Sequence, residues 1–154
     1  MKGSILHVFP GADGPDFWYR ITFPSKFLTK TFNELTIARI AENDSQTFEL
    51  AENVSLLVLH FPTKLEWLSI IKRRKLRELK TIVEFSDNFF SLPRWNPAFQ
   101  KAKNYRDHFK EILQAADAVT VTSNRLKSEL SHPNIHVIPN YLFEIPDVVE
   151  QARA

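Results

Sequence analysis

The order of residues predicts a doubly wound α/β domain on a parallel sheet. Short, β-branched apolar runs alternate with segments whose apolar residues recur at helical spacing, and turn residues such as Pro, Asn and Ser close most of the runs. Strands separated by whole helices must pair in parallel, because antiparallel neighbours need only a tight turn. No internal repeat or low-complexity tract interrupts the series, so the chain reads as one domain over residues 1–141. Residues 142–154 read as the start of a linker or a tail.

Ile5-Leu6-His7-Val8-Phe9, closed by Pro10-Gly11, reads as a first strand buried on both faces. Phe17, Ile21, Phe23, Phe27 and Leu28 then follow helical spacing up to Thr31, with Pro24 set to kink or restart the helix. Thr36 to Ile40 makes a second strand, and Val54 to His60 a stronger one that ends before Phe61-Pro62. Thr63 is placed to cap a helix with a stripe of Leu65, Leu68, Ile71, Leu76 and Leu79. Lys72-Arg73-Arg74-Lys75 and Arg77 point largely away from that stripe. Thr81 to Phe85 is the next strand, followed by a loop from Ser86 to Pro97. Tyr105, Phe109, Ile112, Leu113 and Ala116 mark another helix. Ala118 to Thr122 as a strand, Asn124 to Leu130 as a short helix and Ile135 to Ile138 as a last strand complete the series.

With 44% apolar and 25% charged residues, 154 residues make a foldable core and exclude a disordered chain. Lys+Arg 20 against Asp+Glu 18 leaves a net charge of +2, which does not mark a nucleic-acid binder. The absence of cysteine excludes a disulfide scaffold, a thiolate metal site and a cysteine nucleophile. The first apolar run is too short for a signal-peptide core or a membrane span, so the expected location is the cytoplasm.

Three glycines, Gly3, Gly11 and Gly14, cannot build the turn that brings backbone amides to a dinucleotide, and no Lys-Ser or Lys-Thr follows a glycine run to make a P-loop. No Asp-x-Asp pair and no zincin-type histidine spacing occur, so neither a metal nor a cofactor is expected. In open parallel sheets ligands meet the carboxyl ends of strands. There Glu84, Ser86 and Asp87 place two carboxylates and a hydroxyl at the end of a central strand. They are set either to hold a sugar hydroxyl or reacting group or, for Ser86 and Asp87, simply to cap the next turn.

Five segments carry a family resemblance: Tyr19-Arg20-Ile21 with Pro24 and Leu28; Val58 to Pro62; Ile82 to Phe90; Ala116 to Ser123 with Leu126; and Asn134 to Asn140. In this order, over nearly the whole chain, they resemble the amino-terminal half of the group 1 GT-B glycosyltransferases, in which two Rossmann-like domains face each other. The resemblance implies an acceptor-side domain for polysaccharide or cell-surface glycan assembly, with the nucleotide-sugar donor bound mainly by a second, carboxy-terminal domain. Such a half is expected to be nearly inactive alone, since it holds one reactant only. Members often carry two adjacent acidic residues where this chain has Ser86-Asp87.

By the same resemblance, Asp87 and Ser86 are the catalytic or orienting residues. Asp13, Tyr19, Arg20, His60, Glu84, Asn88 and Ser123 face a sugar or lipid-linked acceptor, and Asn140 sits at the interdomain hinge. Read without it, Arg20 is a surface arginine and His60 a buried, satisfied histidine, while His108 packs within its helix. Phe89, Phe90 and Trp95 either stack on sugar faces or cover the sheet edge. Lys72 to Lys75 form either a solvated helix face or a weak contact with the inner membrane surface. The alternative function is a non-catalytic α/β module that binds a protein partner or small ligand. An enzyme half is expected to expose a polar cleft wall on which Asp87 and Arg20 converge.

Overall fold

The computed structural model describes residues 3–11, 17–88, 91–97 and 99–140. Within them six strands form one all-parallel sheet: β1 Ser4–Phe9, β2 Thr36–Ala41, β3 Leu56–His60, β4 Lys80–Phe85, β5 Ala118–Val121 and β6 Ile135–Val137. Their order is β2-β1-β3-β4-β5-β6. A π-helical stretch, Phe17–Thr22, runs straight into α1, Phe23–Thr31, and Pro24 stands in the first turn of α1, where its missing N–H costs nothing. The remaining helices are α2 Thr47–Asn53, α3 Glu66–Leu76, α4 Phe99–Ala115 and α5 Asn124–Glu129. None of the described helices is long and apolar enough to cross a membrane.

The step from β1 to β2 runs one way along the sheet and later connections run the other. Right-handed crossovers therefore place α1 on one face and α2 to α5 on the opposite face. The core lies on the four-helix side. Leu6, Val8, Leu57, Leu59, Val83 and Val119 point there from alternate strand positions and meet Trp67 and Ile71 of α3, Phe109 and Ile112 of α4 and Leu126 of α5. The opposite face, which carries Ile5, His7, Leu56, Val58, Ile82, Glu84 and Thr120, meets α1 and the π-helical stretch.

Helix α3 departs from the sequence reading. Its buried face is Trp67, Ile70, Ile71 and Arg74, spaced i, i+3, i+4, i+7. Leu65 is exposed, Leu76 is 86% exposed and Leu79 lies beyond the helix. Arg74 does not point away from the core. It donates through Nε to Thr81 Oγ1 at 3.1 Å and through its terminal nitrogens to the carbonyls of Ala51 (2.5 Å), Val54 (2.9 Å) and Lys80 (2.7 Å), tying α2 and β4 to α3. Arg73 pairs with Glu52, leaving Lys72 and Lys75 as the solvated part of the basic run.

Thr63 does not cap α3 either. Its N–H (2.7 Å) and hydroxyl both go to the buried Glu42 carboxylate, which also accepts Trp67 Nε1 at 2.6 Å. That carboxylate fixes the start of α3 against the end of β2. Helix α2, absent from the sequence reading, buries only Thr47 and Ala51 and so shows little apolar periodicity.

Among the described residues, two that are not glycine adopt left-handed backbone. Glu78 (φ 59°) closes α3. Phe61 (φ 47°) follows β3 immediately, donates its N–H to Glu84 O at 3.2 Å, and packs edge-on against Phe85 and Phe109 with centroids 5.4 and 6.4 Å away.

Candidate functional site

Two concavities adjoin the carboxyl ends of the strands. The first, about 510 Å³, is polar and lies where β4 and β5 end. Ser86, Asp87 and Asn88 continue β4 into its wall, and Thr122 and Ser123 continue β5. Thr122 Oγ1 donates to Ser86 O at 2.9 Å and ties the two strand ends together. Ser123 Oγ accepts Leu126 N–H at 3.2 Å, so it caps α5 and keeps its own hydroxyl proton to donate. Asn88 and Ser91 both donate to Glu129 of α5, Ser91 Oγ at 3.0 Å, which anchors the loop after β4 to the helix after β5. Asp87 is exposed on this wall, and the exposed Arg125 of α5, whose Nε lies 3.6 Å from Glu129 Oε1, lines the same cleft.

The second concavity, about 470 Å³, is a largely apolar groove between α1 and the less covered sheet face. Its floor is Ile5, Leu56, Val58 and Ile82, with Phe23, Phe27 and Leu28 of α1 on one side and Ile138 and Pro139 on another. At the strand-end side of the floor the apolar surface gives way to polar groups. Arg20 Nε pairs with Glu84 Oε1, the two side chains being 4% and 8% exposed. Arg20 Nη1 donates to Ile138 O and, at 3.3 Å, to Asn140 Oδ1, while the buried Nη2 has no hydrogen-bond partner among the described residues. Thr120 Oγ1 donates to the second Glu84 oxygen at 2.9 Å. The π-helical stretch makes this pairing by turning Arg20, Ile21 and Thr22 inward together.

Beside that pair, at the switch point between the adjacent strands β1 and β3, His7 Nδ1 and His60 Nε2 share a hydrogen bond of 2.9 Å and their rings stack. Burial, with the Arg39 guanidinium adding to it, pushes His7 down to about 4. Burial, His7 and Arg20 hold His60 well below its ordinary value. Both rings are therefore neutral at pH 7, one donating to the other. Protonating either adds charge to a buried pair, and the unfolded chain takes up those protons first. The stabilisation is thus complete above about 6.5 and lost as the pH falls towards 4, by about 3 kcal/mol for His7 alone. Urea midpoints at pH 7, 5.5 and 4.5 should fall accordingly, and His7→Asn should flatten the slope.

The sequence-predicted residues thus fall into two groups. Ser86, Asp87, Asn88 and Ser123 share the polar cleft, whereas Tyr19, Arg20 and Glu84 line the groove. Asn140 binds Arg20, and His60 is the buried, hydrogen-bonded member of a histidine pair. Arg20 and Asp87 do not converge: the guanidinium is drawn to Glu84, and it is neither a surface arginine nor a cleft residue. Asp13, Phe89 and Phe90 lie outside the described residues. Trp95 is 82% exposed and covers no sheet edge. His108 is half-buried on α4, and its buried Nδ1 has no hydrogen-bond partner among the described residues. The sequence reading missed His7, Thr120 and Glu129. A histidine in the middle of a both-faces-buried strand was the available signal for the first. No group of three or more metal-ligating side chains occurs among the described residues. Comparison with protein-family models and with curated proteins finds no match to the chain.

Proposed function

We propose that this chain is the acceptor-side domain of a nucleotide-sugar-dependent glycosyltransferase of the GT-B type, acting in glycan assembly. The observation that carries this reading is the polar cleft at the carboxyl ends of β4 and β5, where carboxylate, hydroxyl and amide side chains from two adjacent strands meet. Asp87, exposed on that wall, is suited to orient an acceptor hydroxyl or take its proton, and Ser86, Asn88 and Ser123 supply the hydrogen bonds that hold a sugar. The donor's nucleoside diphosphate would be bound by a second domain, and the enzyme would work in the cytoplasm or at the inner membrane face.

In a complete enzyme containing this domain, Asp87→Asn is expected to lower turnover by about a hundredfold with an unchanged melting temperature, because Asn keeps the shape and one acceptor oxygen but cannot take a proton. Wild-type turnover in that variant would remove Asp87 from the chemistry. A second reading, a non-catalytic module for a partner or small ligand, is favoured by the apolar groove. Under it, Asp87→Asn would leave partner binding untouched and no transfer would accompany it.

A further inference from the structure

We infer that the groove beneath α1 is filled by the chain's own next residues: 141–145 turn back after Asn140 and run extended over its floor, a contact within one chain that holds whether or not the domain transfers sugar. Helix α1 calls for such a cover. It buries none of its nine residues, and a helix that short is marginal in water unless one face of it is packed. Phe23, Phe27 and Leu28 line the groove from α1 and Ile138 lines it from another side, with Phe27 and Ile138 each 48% exposed. The segment also starts in the right place. Ile138 and Pro139 already belong to the groove wall, and Arg20 holds Ile138 O and Asn140 Oδ1, so the chain leaves Asn140 at the strand-end side of the floor. From the level of Glu84 and His60 the floor runs back to the level of Leu56, about 13 Å of strand, and five extended residues span about 16 Å. Tyr141, Phe143 and Ile145 fall on one side of such a run, Glu144 falls on the other, and Ile145 is held to extended backbone by Pro146. Charge agrees with this placement. α1 exposes Lys26 and Lys30 and has no acidic residue, whereas Glu144, Asp147 and Glu150 arrive with the segment. The buried Arg20 Nη2, without a partner among the described residues, is next to where the run begins, and the first peptide carbonyls supply it an acceptor. A ligand or partner entering the groove has to displace this cover.

The test uses the full chain, whose lack of cysteine lets Val148→Cys carry a single nitroxide. With 141–145 on the floor the label sits at the far end of the groove, so the methyl signals of Ile5 and Leu56 should broaden more than that of Ile138. Phe143→Asp combined with Ile145→Asp should reverse that order. The same pair of changes should speed amide exchange in α1 about tenfold and leave α3 and α4 unchanged, because the cover is held by buried apolar side chains. A free segment keeps its label nearest the tether, so stronger broadening at Ile138 than at Ile5 without the aspartates would overturn the fold-back. Broadening at Ile5 and exchange in α1 that both ignore the aspartates would show that the apolar floor does not hold the segment, and would overturn it too. Equal broadening on label-free chains mixed with nitroxide-bearing ones would put the segment in a second copy's groove and overturn the contact within one chain.

Discussion

Replacing Arg20 by Met is expected to lower the unfolding free energy by about 3–5 kcal/mol, the scale at which one partner of a buried ion pair is lost. Arg20 and Glu84 sit on elements 64 residues apart and both are almost wholly withdrawn from water. Without the guanidinium, the Glu84 carboxylate loses its cationic partner while keeping the Thr120 hydroxyl, and its charge is left in a low-dielectric wall. The Ile138 carbonyl and Asn140 lose their shared donor in the same change, which loosens the chain after β6. Lysine should rescue little, because one ammonium cannot reach carboxylate, carbonyl and amide oxygen from a single fork. Urea unfolding of Arg20→Met, Glu84→Leu and the double variant separates charge from shape. The double variant should recover most of the loss, whereas an Arg20→Met midpoint equal to wild type would show that the pair contributes nothing.

Arg74→Met should cost a similar amount, roughly 3–6 kcal/mol, for a different reason. No carboxylate is its principal partner. The guanidinium satisfies three backbone carbonyls, of Ala51, Val54 and Lys80, and the Thr81 hydroxyl, all from inside the fold. Methionine fills much of the volume but leaves those acceptors dry, and each buried unpaired acceptor costs about 1–3 kcal/mol. Its neighbour Arg73, half exposed and paired with Glu52, supplies the control, since Arg73→Met should change stability by less than about 1 kcal/mol. Thermal or urea unfolding of the two variants side by side distinguishes them; equal midpoints would show that burial of Arg74 carries no energetic weight.

The central strands β1, β3, β4 and β5 were legible because each is a largely β-branched or aliphatic run closed within two residues by Pro or Ser, a composition that burial on both faces imposes. The edge strands β2 and β6 hold no buried residue and were legible by their β-branched residues alone. Their parallel pairing followed from the helices between them. The face of α3 was not legible: Trp67 and Arg74 complete its buried stripe, and an arginine turns inward only because carbonyls of α2, of Val54 just after it and of β4 happen to meet there. Helix α2 escaped notice because two small buried side chains make no periodic signal. At the site, chain topology pointed to the strand ends, where Ser86, Asp87, Asn88 and Ser123 do line one cleft. Which polar side chains pair with one another is a separate matter. Arg20 with Glu84 and His7 with His60 are separated by 64 and 53 residues, and a local pattern holds no information about such partners.

The left-handed backbone at Phe61 punctuates the sheet as well as packing against it. A side chain with a Cβ held at φ 47° costs about 1–2 kcal/mol and cannot prolong an extended strand. Its edge-on contacts with Phe85 and Phe109 offset that cost at about 0.5–1.5 kcal/mol per pair. β3 therefore stops at His60, and the last rung of its ladder is His60 against Glu84. Had the strand run on, the chain would have passed over the strand ends instead of turning toward Glu42 through Pro62 and Thr63. The change of hand at one aromatic residue is thus what keeps the carboxyl edge of the sheet open.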